Sequence, residues 1–189
     1  IFIKPGSGGT DKERLDEYQG ASANASPTGY YVKKYYDQTA TVKYDAGLNI
    51  MMFRYADILL MYAEAKEALG QLDAAIWDMT IKPIRKRAGF EAAKALDFPT
   101  SGDLKTIVRN ERRSELALEG LRYYDILRWK AGKTYLDGQI LGAKYGGNNS
   151  YIKLDIRRFD ESRDYLWSVP RTQIDLNKNL LPNNQGYSN

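Results

Sequence analysis

Two glutamates, Glu111 and Glu115, stand one helical turn apart in the run LKTIVRNERRSELALEGLRYYDILRW, Leu104 to Trp129. Helical neighbours of this spacing have Cβ atoms about 5–6 Å apart, close to the roughly 5–5.5 Å between carboxyl groups from which a retaining glycosidase works. The chemistry they could perform is therefore hydrolysis by a general acid and a nucleophile. Their position argues for another role. With Ser101 or Asp103 as N-cap, Leu104, Ile107, Val108, Glu111, Glu115 and Leu118 follow the i, i+3, i+4, i+7 template and line one face. Both carboxylates then point where a core should be, and a charge taken out of water must find a partner. Arg109, Arg112, Arg113, Arg122 and Arg128 are close in sequence. A general acid needs apolar surroundings that favour its protonated form, whereas arginines favour the ionised one. We therefore predict a structural charge network of Glu111, Arg112, Arg113, Glu115, Arg122, Asp125 and Arg128, and no catalytic residue.

The rest of the composition narrows the chemistry further. The chain has no cysteine and no histidine, which removes disulfides, thiolate nucleophiles, serine–histidine triads and ordinary histidine metal sites. No metal or cofactor is expected. The net charge of +4 comes from basic residues interleaved with acidic ones, so a nucleic-acid-binding stripe gains no support. Tyrosine outnumbers phenylalanine by 15 to 5, and a ring carrying a hydroxyl suits half-wet surfaces. Tyr135, Tyr145 and Tyr151 lie in or beside glycine-rich sequence such as AKYGGNNSY. There, exposed rings can stack on pyranose faces while Asn148 and Asn149 exchange hydrogen bonds with hydroxyls. These five are the candidate ligand-binding residues. Trp77, Trp129, Tyr55, Tyr62, Tyr123 and Tyr124 sit on helical patterns and read as core. KPGSGGT at Lys4 lacks phosphate-loop spacing.

The elements that must position these residues are mainly helical. Residues 1–50 form a loop-rich lead-in, in which Tyr30 to Tyr36 is extended chain without a fixed strand. A helical core covers 51–132. Its first helix runs from about Met52 to Leu69 with Gly70 as its stop, and Tyr55, Ile58, Leu59, Tyr62 and Leu69 form its stripe. A second begins near Leu72 or Asp73 and ends at Gly89, with Pro83 expected to kink or restart it after Thr80. The short turn between them makes an antiparallel helical hairpin. A third helix covers about Asp103 to Glu119 and a fourth about Leu121 to Lys130, with Gly132 ending that run. From Lys133 to Asp164 the periodicity is weak and reads as variable surface loop. The tail from Leu166 should lie over the helices as an irregular cover. No stretch of 18 apolar residues is present to span a bilayer.

Four segments, in order, resemble the SusD/RagB family of outer-membrane nutrient-binding lipoproteins: FRYADILLMYAEAKEALG (Phe53 to Gly70), IKPIRKRAGF (Ile81 to Phe90), ERRSELALEGLRYYDILRW (Glu111 to Trp129) and YLWSVPRTQIDLNKNLLPNNQGY (Tyr165 to Tyr187). The resemblance implies a tetratricopeptide-like helical scaffold with long loops and a covering C-terminal tail, with residues 1–189 forming the C-terminal part of a SusD-like domain. It also implies non-enzymatic capture of an oligosaccharide or related nutrient at the outer membrane, and delivery to a SusC-type TonB-dependent transporter. Family members carry an N-terminal signal and a lipidated cysteine and are several times longer than one domain. The expectation is thus a fragment or truncated product, whose partners include the N-terminal part of the same protein. No binding residue carries over, because the family's glycan-contacting aromatics lie largely before the FRYAD-like motif. The alternatives from other classes are a carbohydrate-active hydrolase using Glu111 and Glu115, and a helical protein–protein interaction module.

Overall fold

A computed structural model describes residues 2–3, 26–35, 47–145 and 150–188. The KPGSGGT segment, most of the lead-in, Asn148 and Asn149 lie outside the described residues. The protein is mainly α-helical, and the chain divides into two compact units, one of them Gly47–Tyr123 and the other made of the sequence on either side.

The unit Gly47–Tyr123 is a helical hairpin with a third long helix packed on it. Helix α1 spans Tyr55–Ala68 and α2 spans Ala74–Arg87. Both end in the same way. The Gly70 and Gly89 N–H groups donate to Glu67 and Lys86, and the following Gln71 and Phe90 N–H groups donate to Lys66 and Arg85. This pairing needs a left-handed residue at the helix exit, and Gly70 (φ +65°) and Gly89 (φ +89°) supply it. Asp73 caps α2 by accepting from the Ile76 N–H at 2.8 Å. Pro83 lies inside a continuous α2, so the helix does not restart after Thr80. An interior proline loses one ladder hydrogen bond and crowds the carbonyl one turn back, and the burial of Trp77, Thr80, Ile81 and Ile84 on both sides of it holds the helix continuous.

A four-residue helix that the sequence pattern did not reveal, α3, covers Ala93–Leu96. Asp103 caps α4, Leu104–Glu115, accepting from the Thr106 N–H at 3.2 Å. The Thr106 hydroxyl, which also bonds Asp103, is the main cause holding that carboxyl below the usual range. The core is Leu60, Ala63, Leu72, Trp77, Ile81, Ile84, Val108 and Leu116. It corrects the expected stripe of α1: Leu60 and Ala63 are buried, whereas Tyr55, Ile58, Tyr62 and Leu69 are exposed. Helix α1 is apolar over most of its circumference, so periodicity alone could not choose the buried face. Asp57, which must reach Arg112 on α4, helps choose it.

The other unit begins with a short antiparallel pair, β1 (Phe2–Ile3) and β2 (Tyr31–Val32). Helix α5 spans Arg122–Arg128 and α6 spans Gly132–Tyr135. The turn between them is closed at Lys130 (φ +51°), so Gly132 starts an element rather than ending one. Gly132 is buried beneath Phe159, with whose ring a Cβ there would collide at 2.3 Å, and its N–H donates to the Tyr165 hydroxyl at 3.0 Å. Where variable loop was expected, β3 (Gly138–Tyr145) and β4 (Ser150–Arg157) form an antiparallel hairpin with irregular register. Gly142 lets the turn at Thr28 approach β3, since a Cβ would lie 2.5 Å from the Thr28 oxygen that accepts the Ala143 N–H. The tail contains a short helix, α7 (Arg171–Leu176), and a 3₁₀ turn at Lys178–Leu180. Its end is tied back by Asn183 accepting from Val169 N–H, Asn184 donating to the Trp167 carbonyl, and the Tyr187 hydroxyl donating to the Leu166 carbonyl.

Candidate functional site

Helix α4 presents Glu111, Arg112 and Glu115 inward, and each meets an oppositely charged group from an earlier part of the chain. Glu111 pairs with Arg85 of α2. Glu115 receives Arg54 at 2.7 Å and Arg87 at 2.5 Å. Arg112, 6% exposed at its side chain, meets Asp57 of α1 at 2.6 Å. Arg54, just before α1, also holds Glu119 at 2.7 Å and donates to the Glu115 carbonyl at 3.0 Å. Burial works against the Arg54 charge, but hydrogen bonds and attraction from Glu119 and Glu115 prevail and raise its pKa above the ordinary value.

The partners include cations that sequence proximity does not suggest. The carboxylates of Glu111 and Glu115 are matched by Arg54, Arg85 and Arg87, which belong to the FRYAD and IKPIRKR segments, whereas Arg113 is exposed and makes no ion pair among the described residues. The signal was an excess of one sign: IKPIRKR carries four cations and no acid of its own. In α5, Asp125 is buried and pairs with Arg128 at 3.0 Å, and Arg122 is half-buried. Carboxylates that accept from fixed guanidinium forks are suited to locking helices together.

Of the candidate ligand-binding residues, Tyr135 is half-buried at the end of α6, and Tyr145 ends β3 with its backbone opposite Ser150. Tyr151 opens outward from β4, 51% exposed, with the Lys144 ammonium 4.9 Å from its ring centroid. Among the aromatics expected in the core, Trp77 is fully buried, while Tyr55 and Tyr124 are 76% and 68% exposed. Trp129 is half-buried with the Arg128 guanidinium 4.9 Å from its ring. An open cleft of about 440 Å³ lies between the start of α1 and α2, lined by Met51, Phe53, Leu59, Pro83 and Ile84 with Arg54 and Arg87. Both arginines are turned to Glu115, which leaves the cleft an apolar surface. Among the described residues no group of three or more acidic side chains is placed to hold a metal ion, and no helix is long and apolar enough to cross a membrane.

The sequence matches the SusD family over residues 6–187. The chain belongs to the SusD family. SusD-like protein P2 of Formosa agariphila is 29% identical to this SusD-family chain over 182 residues, which are 92% of this chain and 33% of that protein. SusD-like protein P38 of the same organism is 36% identical over 86 residues, 42% of this chain and 17% of the relative. Among solved structures, a SusD-like carbohydrate binding protein from Bacteroides fragilis has a TM-score of 0.71 at 30% identity, covering 94% of this chain and 37% of that one. A SusD homologue from Bacteroides thetaiotaomicron has a TM-score of 0.57 at 25% identity, covering 96% and 36%. The chain thus spans about a third of the length of P2 and of these two structures.

Proposed function

We propose that this SusD-family chain is part of a non-enzymatic receptor that captures an oligosaccharide or related nutrient at the outer membrane surface and passes it to a SusC-type TonB-dependent transporter. The observation that carries this reading is the family match along residues 6–187. The name of its Bacteroides fragilis neighbour as a carbohydrate binding protein supports the ligand class. In this reading the membrane attachment is a lipid anchor, as in the family, and binding rests on stacking and hydrogen bonds without metal or cofactor. Tyr135, Tyr145 and Tyr151 are the residues we assign to the ligand-facing region.

The hydrolase alternative is disfavoured by the engagement of both carboxylates. Glu111 and Glu115 are each held by an arginine from another segment, and a pair so occupied has no apolar pocket in which to keep a transferable proton. The test is a glycan array followed by calorimetry, with wild type and the double variant Glu111→Gln/Glu115→Gln measured side by side. Expected are glycan binding without release of new reducing ends, and a double variant destabilised by about 2–4 kcal/mol that still binds. Turnover by wild type, lost in a double variant that keeps its melting temperature, would establish the hydrolase instead. Retained capture by a SusC-type transporter with no glycan bound would point to a protein–protein module.

A further inference from the structure

The outward side of the β3–β4 hairpin has an uncommon combination of groups. Directly opposed residues of an antiparallel pair project to the same side, so Lys144 opposite Tyr151 and Leu141 opposite Lys153 share one face. Ala143 and Ile152 are buried, which fixes that face as the outward one. Leu141 is 50% exposed, and Lys144 and Lys153 are both exposed. Neither lysine has an ion pair among the described residues. The next acid along β4 is Asp155, whose carboxylate accepts from the Ile156 N–H at 2.7 Å. The face therefore joins one aromatic ring, one aliphatic side chain and two ammonium groups with no carboxylate paired to them.

A ring with an ammonium already over it discriminates between sugars. A pyranose that stacks on the Tyr151 face covered by Lys144 must displace it, giving up a cation–π contact. A neutral sugar returns only a hydroxyl to the displaced ammonium. A sugar bearing an anionic substituent returns an ion pair, and Lys153, two positions along the same strand and on the same side, supplies a second cation along the path of a bound chain. We propose that this hairpin face binds an acidic oligosaccharide, with a pyranose on Tyr151 and a ring carboxylate or sulfate ester held by Lys144 and Lys153. The inference rests on the glycan-binding reading above and adds the charge class of the ligand.

The full chain is titrated by calorimetry at low salt with an oligogalacturonate, with a sulfated neutral oligosaccharide and with its unsulfated parent, and with polyglutamate as an anion that is not a sugar. At least one of the two acidic sugars is expected to bind tenfold or more tightly than the unsulfated parent and than polyglutamate, and the stronger arm distinguishes carboxylate from sulfate. Tyr151→Ala, and Lys144→Gln with Lys153→Gln together, should each weaken that binding at least tenfold, while Tyr151→Phe retains it. All three positions are on the surface, and unchanged thermal melts would show that the variants stay folded. Equal affinity for the neutral parent or for polyglutamate, or an unchanged affinity in Tyr151→Ala, overturns the inference and leaves glycan capture standing. If no sugar of any charge binds, both readings fail.

Discussion

Trp77→Ala is expected to lower the unfolding free energy by about 3–5 kcal/mol, a large share of the roughly 5–15 kcal/mol that holds a typical domain folded. Trp77 is fully buried at the centre of the α1–α2–α4 core. Its indole N–H donates to the Leu96 carbonyl at 2.8 Å, and its ring meets Phe98 edge-on at 5.8 Å. The Arg85 guanidinium lies 5.0 Å from the ring centroid and also pairs with Glu111. The alanine substitution therefore removes packing, a donor to a loop carbonyl and the platform beneath an ion pair. Trp77→Phe would retain most of the packing but not the donor, and should cost about 1–3 kcal/mol. Urea unfolding of the two variants checks both values. A loss under 1 kcal/mol for the alanine variant would mean that Trp77 does not anchor α3 to this core.

Arg112→Ala should cost about 3–5 kcal/mol by leaving the Asp57 carboxylate without its partner in a poorly solvated site. The two side chains are 6% and 18% exposed, with 2.6 Å between nitrogen and oxygen. Removing one member of such a pair is worse than removing both, because the survivor keeps the full penalty of desolvation. Arg112→Met combined with Asp57→Leu should accordingly be more stable than Arg112→Ala alone. A double-mutant cycle by urea unfolding measures the coupling directly. Additive costs would show that the pair contributes nothing beyond its separate contacts.

The long helices were legible because periodicity and punctuation agree at their ends. Asp73 and Asp103 are the observed caps, and Gly70 and Gly89 are the observed exits. What was not legible depends on partners far away in sequence. Nothing local to α1 says that Leu60 and Ala63 rather than Tyr55 and Tyr62 turn inward, since both sets are apolar and only the reach of Asp57 to Arg112 separates them. Arg54, Arg85 and Arg87 as partners of Glu111 and Glu115 were hidden for the same reason: they are distant in a line of text, yet α2 and the residue before α1 bring them within reach. The β3–β4 hairpin is a different case. In SYIKLDIR, Ile152, Leu154 and Ile156 alternate with Lys153, Asp155 and Arg157, which is a strand period. The partner GQILGAKY hides it, because two glycines and two register shifts leave no steady alternation there. Of the ligand-facing candidates, Tyr151 emerges exposed on that hairpin, where glycine-rich sequence had suggested only a loop.

Arg54 has a consequence for how the helices open. It stands immediately before α1 and grips Glu115 and Glu119, 61 and 65 residues further along. Helix ends ordinarily fray independently, each at little cost. Here Arg54 ties the last turn of α4 to the start of α1, so opening of one end loses contacts of the other, and amide exchange at the two ends is expected to rise together in Arg54→Ala. The clamp must also form after the intervening chain has been drawn into a loop, a delay whose entropic cost grows only with the logarithm of loop length. Arg54 is thus expected to act as a late latch, with Arg54→Ala raising the unfolding rate far more than it slows folding.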